Sequence, residues 1–152
     1  MMRSLLKSIN LNLMFFYDRY IRFSETDGAG VVYFSQVLNL CHESYEESLR
    51  IAGLDLQHFF CSRKLAVPIV QATVNFFQPL HCGDRVRIGV VAQRSQPSEF
   101  DITYQLYLNP SPIDRSIAQA KTRHVCIDPQ TRQRIDCPGL LDPWFLLVQD
   151  VA

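Results

Sequence analysis

At 152 residues and 47% hydrophobic content the chain can bury one full core, and no Pro-, Ser- or Gly-rich linker divides it, so a single domain is expected. Fifteen basic and fifteen acidic residues cancel, which argues against wholesale binding to nucleic acid or a membrane surface and leaves any anionic ligand to a few placed groups. Five cysteines, Cys41, Cys61, Cys82, Cys126 and Cys137, are scattered without a C-x-x-C pair, which reads as buried reduced thiols of a cytosolic protein and argues against a disulfide framework.

Residues 1–14 are basic at Arg3 and Lys7 and apolar at Leu5, Leu6, Leu11 and Leu13, but Asn10 and Asn12 interrupt the run and no small-residue cleavage site follows. The expectation is a poorly ordered N-terminal extension, with Met14 as an alternative start, ahead of one domain over residues 15–148. No stretch approaches the ~18 apolar residues of a membrane span. Phe15 to Phe23, aromatic and β-branched, reads as a first strand closed by a loop at Ser24.

That loop carries Asp27 between Thr26 and the glycines Gly28 and Gly30. Glycine removes the Cβ penalty for φ > 0, so backbone N–H groups can approach a ligand oxygen. Asp27 has two readings: an N-cap of the following helix, or a carboxylate that attacks or activates water beside the anion site at a helix start. Ser35 sits nearer the periodic stretch and is itself a good cap, which frees Asp27 for the second reading. Glu25 reads as a loop charge facing water.

From Phe34 to Ala52 the apolar positions Phe34, Val37, Leu38, Cys41, Tyr45, Leu49 and Ala52 recur at helical spacing, and Gly53 supplies a stop. Such a helix would run roughly 28 Å, enough to cross a small domain. Its acids Glu43, Glu46 and Glu47 are rivals to Asp27, although this spacing usually marks a solvated face. Tyr33 and Tyr45 read as packing rather than acid–base residues.

Strand-like runs follow at Leu65 to Phe77, Asp84 to Arg94, Phe100 to Leu108 and Ser116 to Ile127, separated by turn signals at Gln78 to Asp84, Gln96 to Ser98 and Asn109 to Pro112. They read as a meander, with one face of the alternating run Phe100 to Leu108 buried, and Thr131 to Asp136 folding back on the last strand at Asp128-Pro129. His58 with Cys61 and His81 with Cys82 lack a four-ligand pattern, so no metal is expected. One helix and four later strands pack economically as an α+β domain, an antiparallel sheet wrapped around one long central helix. Its open edges make edge-to-edge pairing of two chains an expectation.

The run Glu25-Thr26-Asp27-Gly28-Ala29-Gly30-Val31-Val32-Tyr33-Phe34, followed by this helix and by Val67-Pro68-Ile69-Val70, resembles the hot-dog-fold thioesterases of the 4-hydroxybenzoyl-CoA thioesterase family. The resemblance covers residues 15 to 128 and is greatest to the hydrolases that cleave 1,4-dihydroxy-2-naphthoyl-CoA on the way to phylloquinone. It implies a cytoplasmic acyl-CoA thioester hydrolase without cofactor, its site between two subunits and its dimers paired into a homotetramer. It puts the catalytic carboxylate on Asp27, expected as a buried acid, and the oxyanion-polarising amide on Phe34, with Gly30 and Tyr33 beside the substrate. The helix position that meets the ring hydroxyl in the benzoate enzymes is acidic there and is His42 here; a histidine can donate to or accept from the hydroxyl of a dihydroxynaphthoyl ring. For the coenzyme A phosphates the candidate cations are Arg63, Lys64, Arg85, Arg87, Arg94, Lys121 and Arg123, with Arg94 favoured because it adjoins the Ser95 to Ser98 turn. The alternatives are a thioesterase for fatty or β-ketoacyl groups on acyl carrier protein or CoA, and a hot-dog module that binds acyl-CoA without cleaving it.

Overall fold

The computed structural model describes residues 14–110 and 115–150; all but the last residue of the extension expected over residues 1–14 lies outside them. Strand β1 (Phe15–Tyr20) leads through a short 3-10 turn (Phe23–Glu25) and the Asp27 loop into helix α1 (Phe34–Ile51). Helix α2 (Leu56–Phe60) connects to strands β2 (Ile69–Phe76), β3 (Arg85–Gln96), β4 (Glu99–Leu108) and β5 (Ala118–Val125), and helix α3 (Asp142–Val148) closes the described chain. Among the described residues no helix is long and apolar enough to cross a membrane.

The helix expected over Phe34 to Ala52 forms over Phe34–Ile51, and Gly53 ends it by taking φ 93°. The N–H groups of Gly53 and Leu54 then donate to the carbonyls of Arg50 (3.0 Å) and Leu49 (3.1 Å), satisfying carbonyls the helix leaves open. Val37, Leu40, Cys41, Tyr45 and Leu49 form its buried stripe. Facing them on the sheet are Val86, Ile88 and Val90 of β3, Phe100, Ile102, Tyr104 and Leu106 of β4, and Ala118 and Ala120 of β5. The period-2 pattern of β4 thus puts one face in the core, as its alternation implied.

The strands do not form a simple meander. Their order is β1-β3-β4-β5-β2, so β3, β4 and β5 are sequential neighbours, but β2 pairs with β5 and β1 takes the other side of β3. The segment from Phe77 to Asp84 carries the chain from the β2 edge across to β3: Phe77 N–H donates to Ile117 O (2.9 Å), Val32 N–H to Leu80 O (2.8 Å) and Ile21 N–H to Asp84 O (2.8 Å). The crossover therefore packs under the Asp27 loop and fixes its height. The first strand is also shorter than its Phe15 to Phe23 expectation, because Arg22 to Glu25 turns back into the loop.

Helix α3 was not evident in the sequence. Its Trp144 is fully buried and donates from Nε1 to Ser48 Oγ (2.8 Å), which explains two serines on the buried face of α1: Ser44 and Ser48 also bond back to the Cys41 and Tyr45 carbonyls. The return after β5 does form, with Ile127 bridged to Arg134 across the Asp128 turn.

Candidate active site

Residues 27–31 close on themselves. Asp27 N–H donates to Val31 O (2.9 Å) and Gly30 N–H to Asp27 O (3.0 Å), while Asp27 Oδ1 accepts from Ala29 N–H (2.8 Å) and Val31 N–H (3.4 Å). Gly30 takes φ 80°, whereas Gly28 stays out of the left-handed region, so only one of the two glycines is required by the backbone. The Asp27 carboxylate is exposed rather than buried in a single chain. It caps its own turn through one oxygen, and Oδ2 accepts no hydrogen bond from the described residues.

The start of α1 is uncapped. Tyr33 occupies the N-cap position with no side-chain bond to the helix; Ser35 lies inside the first turn and is not the cap its position suggested. Tyr33 N–H is taken by Glu25 O (2.9 Å), but no described group accepts from the N–H of Phe34, the first helical residue. That amide sits at the positive end of an 18-residue helix, a site that favours developing negative charge. A cavity of about 340 Å³ opens beside it, lined by Val31, Val32, Phe34, Val37, Phe76 and Phe77 among others. The flanking rings are poorly covered: Tyr33 is 47% exposed, Phe34 62%, Phe76 51% and Phe77 57%.

Arg19 holds this junction together, and sequence reasoning missed it. Its guanidinium pairs with Glu25 on the loop and with Glu43 on α1, with the Arg19 and Glu25 side chains each 12% exposed. Glu25 is therefore not the water-facing charge expected. Its carboxylate is anchored to β1 and accepts from Arg22 N–H (2.8 Å), while its carbonyl holds Tyr33. Arg19 thereby sets the Asp27 turn and the free Phe34 amide in register. Its partner Glu43, far along the chain on the helix, has no local sequence signal.

The helix acids are all engaged: Glu43 with Arg19, Glu46 with His42 and Glu47 with Arg50. His42 is half-exposed, its Nδ1 3.0 Å from Glu46 Oε1, with Tyr45 and Phe60 as aromatic neighbours. It lies about 12 Å along the helix from Phe34, so within one chain it is apart from the Asp27 loop. Arg94 donates to Asp142 Oδ1 (2.5 Å) and lies over the Phe145 ring at 4.0 Å, an exposed pairing that seats α3. Arg85 and Arg87 pair with Asp18, and Lys121 and Arg123 with Asp101. Of the seven candidates, Arg63 and Lys64 alone have no carboxylate partner among the described residues. The Asp18 and Asp101 carboxyls lie below the usual carboxylate range because of the guanidiniums of Arg87 and Arg123.

Between helix and sheet sits a buried histidine the sequence did not single out. His124 stacks on Phe100, its Nε2 2.8 Å from Thr122 Oγ1, and Nδ1 has no partner among the described residues. Burial, with His42 nearby, pushes its pKa down to about 4, so it is neutral at pH 7. The cysteines divide unlike the expectation of buried thiols: Cys41 and Cys126 are buried, Cys137 is half-buried, and Cys61 and Cys82 are exposed. No group of three metal-ligating side chains forms among the described residues.

Residues 21–146 match the family model of the thioesterase-like superfamily. The chain is 47% identical over 134 residues to a 1,4-dihydroxy-2-naphthoyl-CoA hydrolase of Crocosphaera subtropica, covering 88% of this chain and 97% of that protein. It is 49% identical over 129 residues to a protein of the same name from Rippkaea orientalis, covering 85% and 93%. The crystal structure of a 1,4-dihydroxy-2-naphthoyl-CoA thioesterase from Synechocystis superposes with a TM-score of 0.81 at 36% identity, covering 87% of this chain and 95% of that one.

Proposed function

The chain belongs to the thioesterase-like superfamily, and on that premise we propose that it hydrolyses the thioester of 1,4-dihydroxy-2-naphthoyl-CoA to the free acid and coenzyme A. The observation that carries the chemistry is the loop–helix junction: a turn closed on one oxygen of Asp27, a free amide at Phe34 and an apolar cavity beside them. As the thioester carbonyl is attacked its oxygen gains negative charge, which the Phe34 N–H at the helix start stabilises; one such donor is typically worth about 3 to 4 kcal/mol. Asp27 either attacks the carbonyl carbon, expelling the CoA thiolate and leaving a mixed anhydride that water cleaves, or takes a proton from the attacking water. Gly30 lets the turn approach the acyl group, and Tyr33 and Phe34 offer it ring faces.

The exposure of Asp27 in one chain supports a site completed by a second copy. Strand β2 is a sheet edge with Ile69 and Val70 42% and 54% exposed, more apolar surface than a free edge ordinarily keeps. Antiparallel pairing through β2 brings the Ile69 end of one copy beside the Phe76 end of the other. The α2–β2 connection of a second copy, with Arg63 and Lys64, then comes to the mouth of the cavity, where the phosphates of coenzyme A need cations. His42 approaches the aryl ring in the same dimer, and two dimers pair into a tetramer in the cytoplasm. The test is a panel assayed side by side: 1,4-dihydroxy-2-naphthoyl-CoA, benzoyl-CoA, a fatty acyl-CoA and an acyl carrier protein ester, with thiol release followed by a chromogenic disulfide. The naphthoyl ester is expected to give the highest kcat/KM; a preference for the carrier-linked ester, or binding without thiol release, overturns the assignment.

A further inference from the structure

We propose that Cys126 and Cys137 form a reversible dithiol–disulfide pair, a redox site whose oxidant is a low-molecular-weight disulfide. The two Sγ atoms lie 2.7 Å apart, so they need approach by only roughly 0.7 Å to reach the ~2.05 Å of a disulfide. The contact is imposed by the backbone. Cys126 N–H donates to Ser98 O (2.9 Å), Ile135 N–H to Cys126 O (3.0 Å) and Cys137 N–H to Pro97 O (2.8 Å), which holds both residues against the β3–β4 turn.

The two thiols are inequivalent in the way exchange requires. Cys126 is fully buried and Cys137 half-exposed. The hydrogen bond between them, reinforced by Arg94, lowers the Cys137 pKa, and that bond together with burial raises the Cys126 pKa. Cys137 is therefore the attacking thiolate. It displaces one thiolate from the small disulfide, forming a mixed disulfide. Cys126 then gives up its proton and attacks the Cys137 sulfur, releasing the second small thiol. Two protein thiols lose two electrons and two protons, and one small disulfide becomes two thiols.

The bond would tie the end of β5 to the segment that enters α3, alongside the Arg94–Asp142 pair and the Trp144–Ser48 hydrogen bond. This happens at the end of the sheet where β3 finishes, whereas the Asp27 loop lies where β3 begins, since Tyr20 pairs with Arg85. Twelve strand residues separate the two ends by roughly 40 Å. Oxidation should consequently stiffen the C-terminal segment and leave the Asp27 turn of the same chain in place.

In a C61S/C82S background, which removes the exposed thiols, incubation with glutathione disulfide should lower the free thiols of the denatured chain from three to one, with dithiothreitol restoring them. Tryptic mass mapping should find the Cys126 and Cys137 peptides joined, and the melting temperature should rise. Adding Cys126→Ser should trap one glutathione on Cys137. Full alkylation of both residues after oxidation, or glutathione persisting on Cys137 while Cys126 is present, would overturn the assignment.

Discussion

Replacing Asp27 by asparagine separates chemistry from scaffolding at the proposed site. The amide oxygen of the introduced asparagine can accept the same bonds from Ala29 N–H (2.8 Å) and Val31 N–H (3.4 Å) that Asp27 Oδ1 takes, and the position is exposed, so stability should move by no more than about 0.5 kcal/mol. The amide can neither attack the thioester nor accept a proton from water. Loss of general-base action alone costs about 10²- to 10⁴-fold, and three decades correspond to about 4 kcal/mol of barrier. Asp27→Ala also loses the turn bonds, each worth about 1 kcal/mol or less at an exposed site, so it should lower the melting temperature where Asp27→Asn does not. Steady-state thiol release with the naphthoyl ester, paired with thermal melts of both variants, measures the two effects independently. If Asp27→Asn keeps a tenth or more of wild-type kcat, this carboxylate does not react and the junction has been misread.

Arg19→Met should cost about 2 to 3 kcal/mol, because it leaves the Glu25 and Glu43 carboxylates without their cation, and lower kcat about tenfold or more through a displaced loop. Adding Glu25→Gln should restore part of the stability but not the rate; recovery of both would deny Arg19 its positioning role. For His124, the folded pKa of about 4 lies below the ordinary ~6.5, so the unfolded chain binds a proton that the folded chain refuses. Stability should be full above pH 6.5 and fall by about 3 kcal/mol as the pH drops toward 4; urea titrations at pH 7, 5.5 and 4.5 measure this, and His124→Gln should flatten the slope. Val70→Asp places a charge on the exposed β2 edge and should shift the protein to monomer in sedimentation and reduce kcat/KM in parallel; an active monomer would refute a site shared between copies.

The helix, most strands and the closed turn at Asp27 were legible because their signals are local. Apolar spacing marked α1 and Gly53 its end, alternation marked β4, and Asp27 with Gly30 marked a tight turn. Where local signals compete, the reading slipped: Ser35 is a good cap in isolation, but the chain enters α1 two residues earlier, leaving the Phe34 amide free. Helix α3 escaped because seven residues beginning Asp-Pro-Trp are too short for a period to declare itself. Of the seven phosphate candidates only Arg94 stood out in the sequence, by its turn; the fold sorts them differently, pairing five with Asp18, Asp101 and Asp142.

The amino-acid order alone thus decided what each segment is, since helical and strand preferences act between residues a few positions apart. Tertiary folding decided what each charged or sulfur-bearing group does. Arg19 meets Glu43, Trp144 reaches Ser48 across 96 residues, and β2 lies beside β5 rather than β3 because burying one apolar face around α1 brings distant segments together. Pairings of that kind follow from the shape of the closed core and leave no periodicity along the chain.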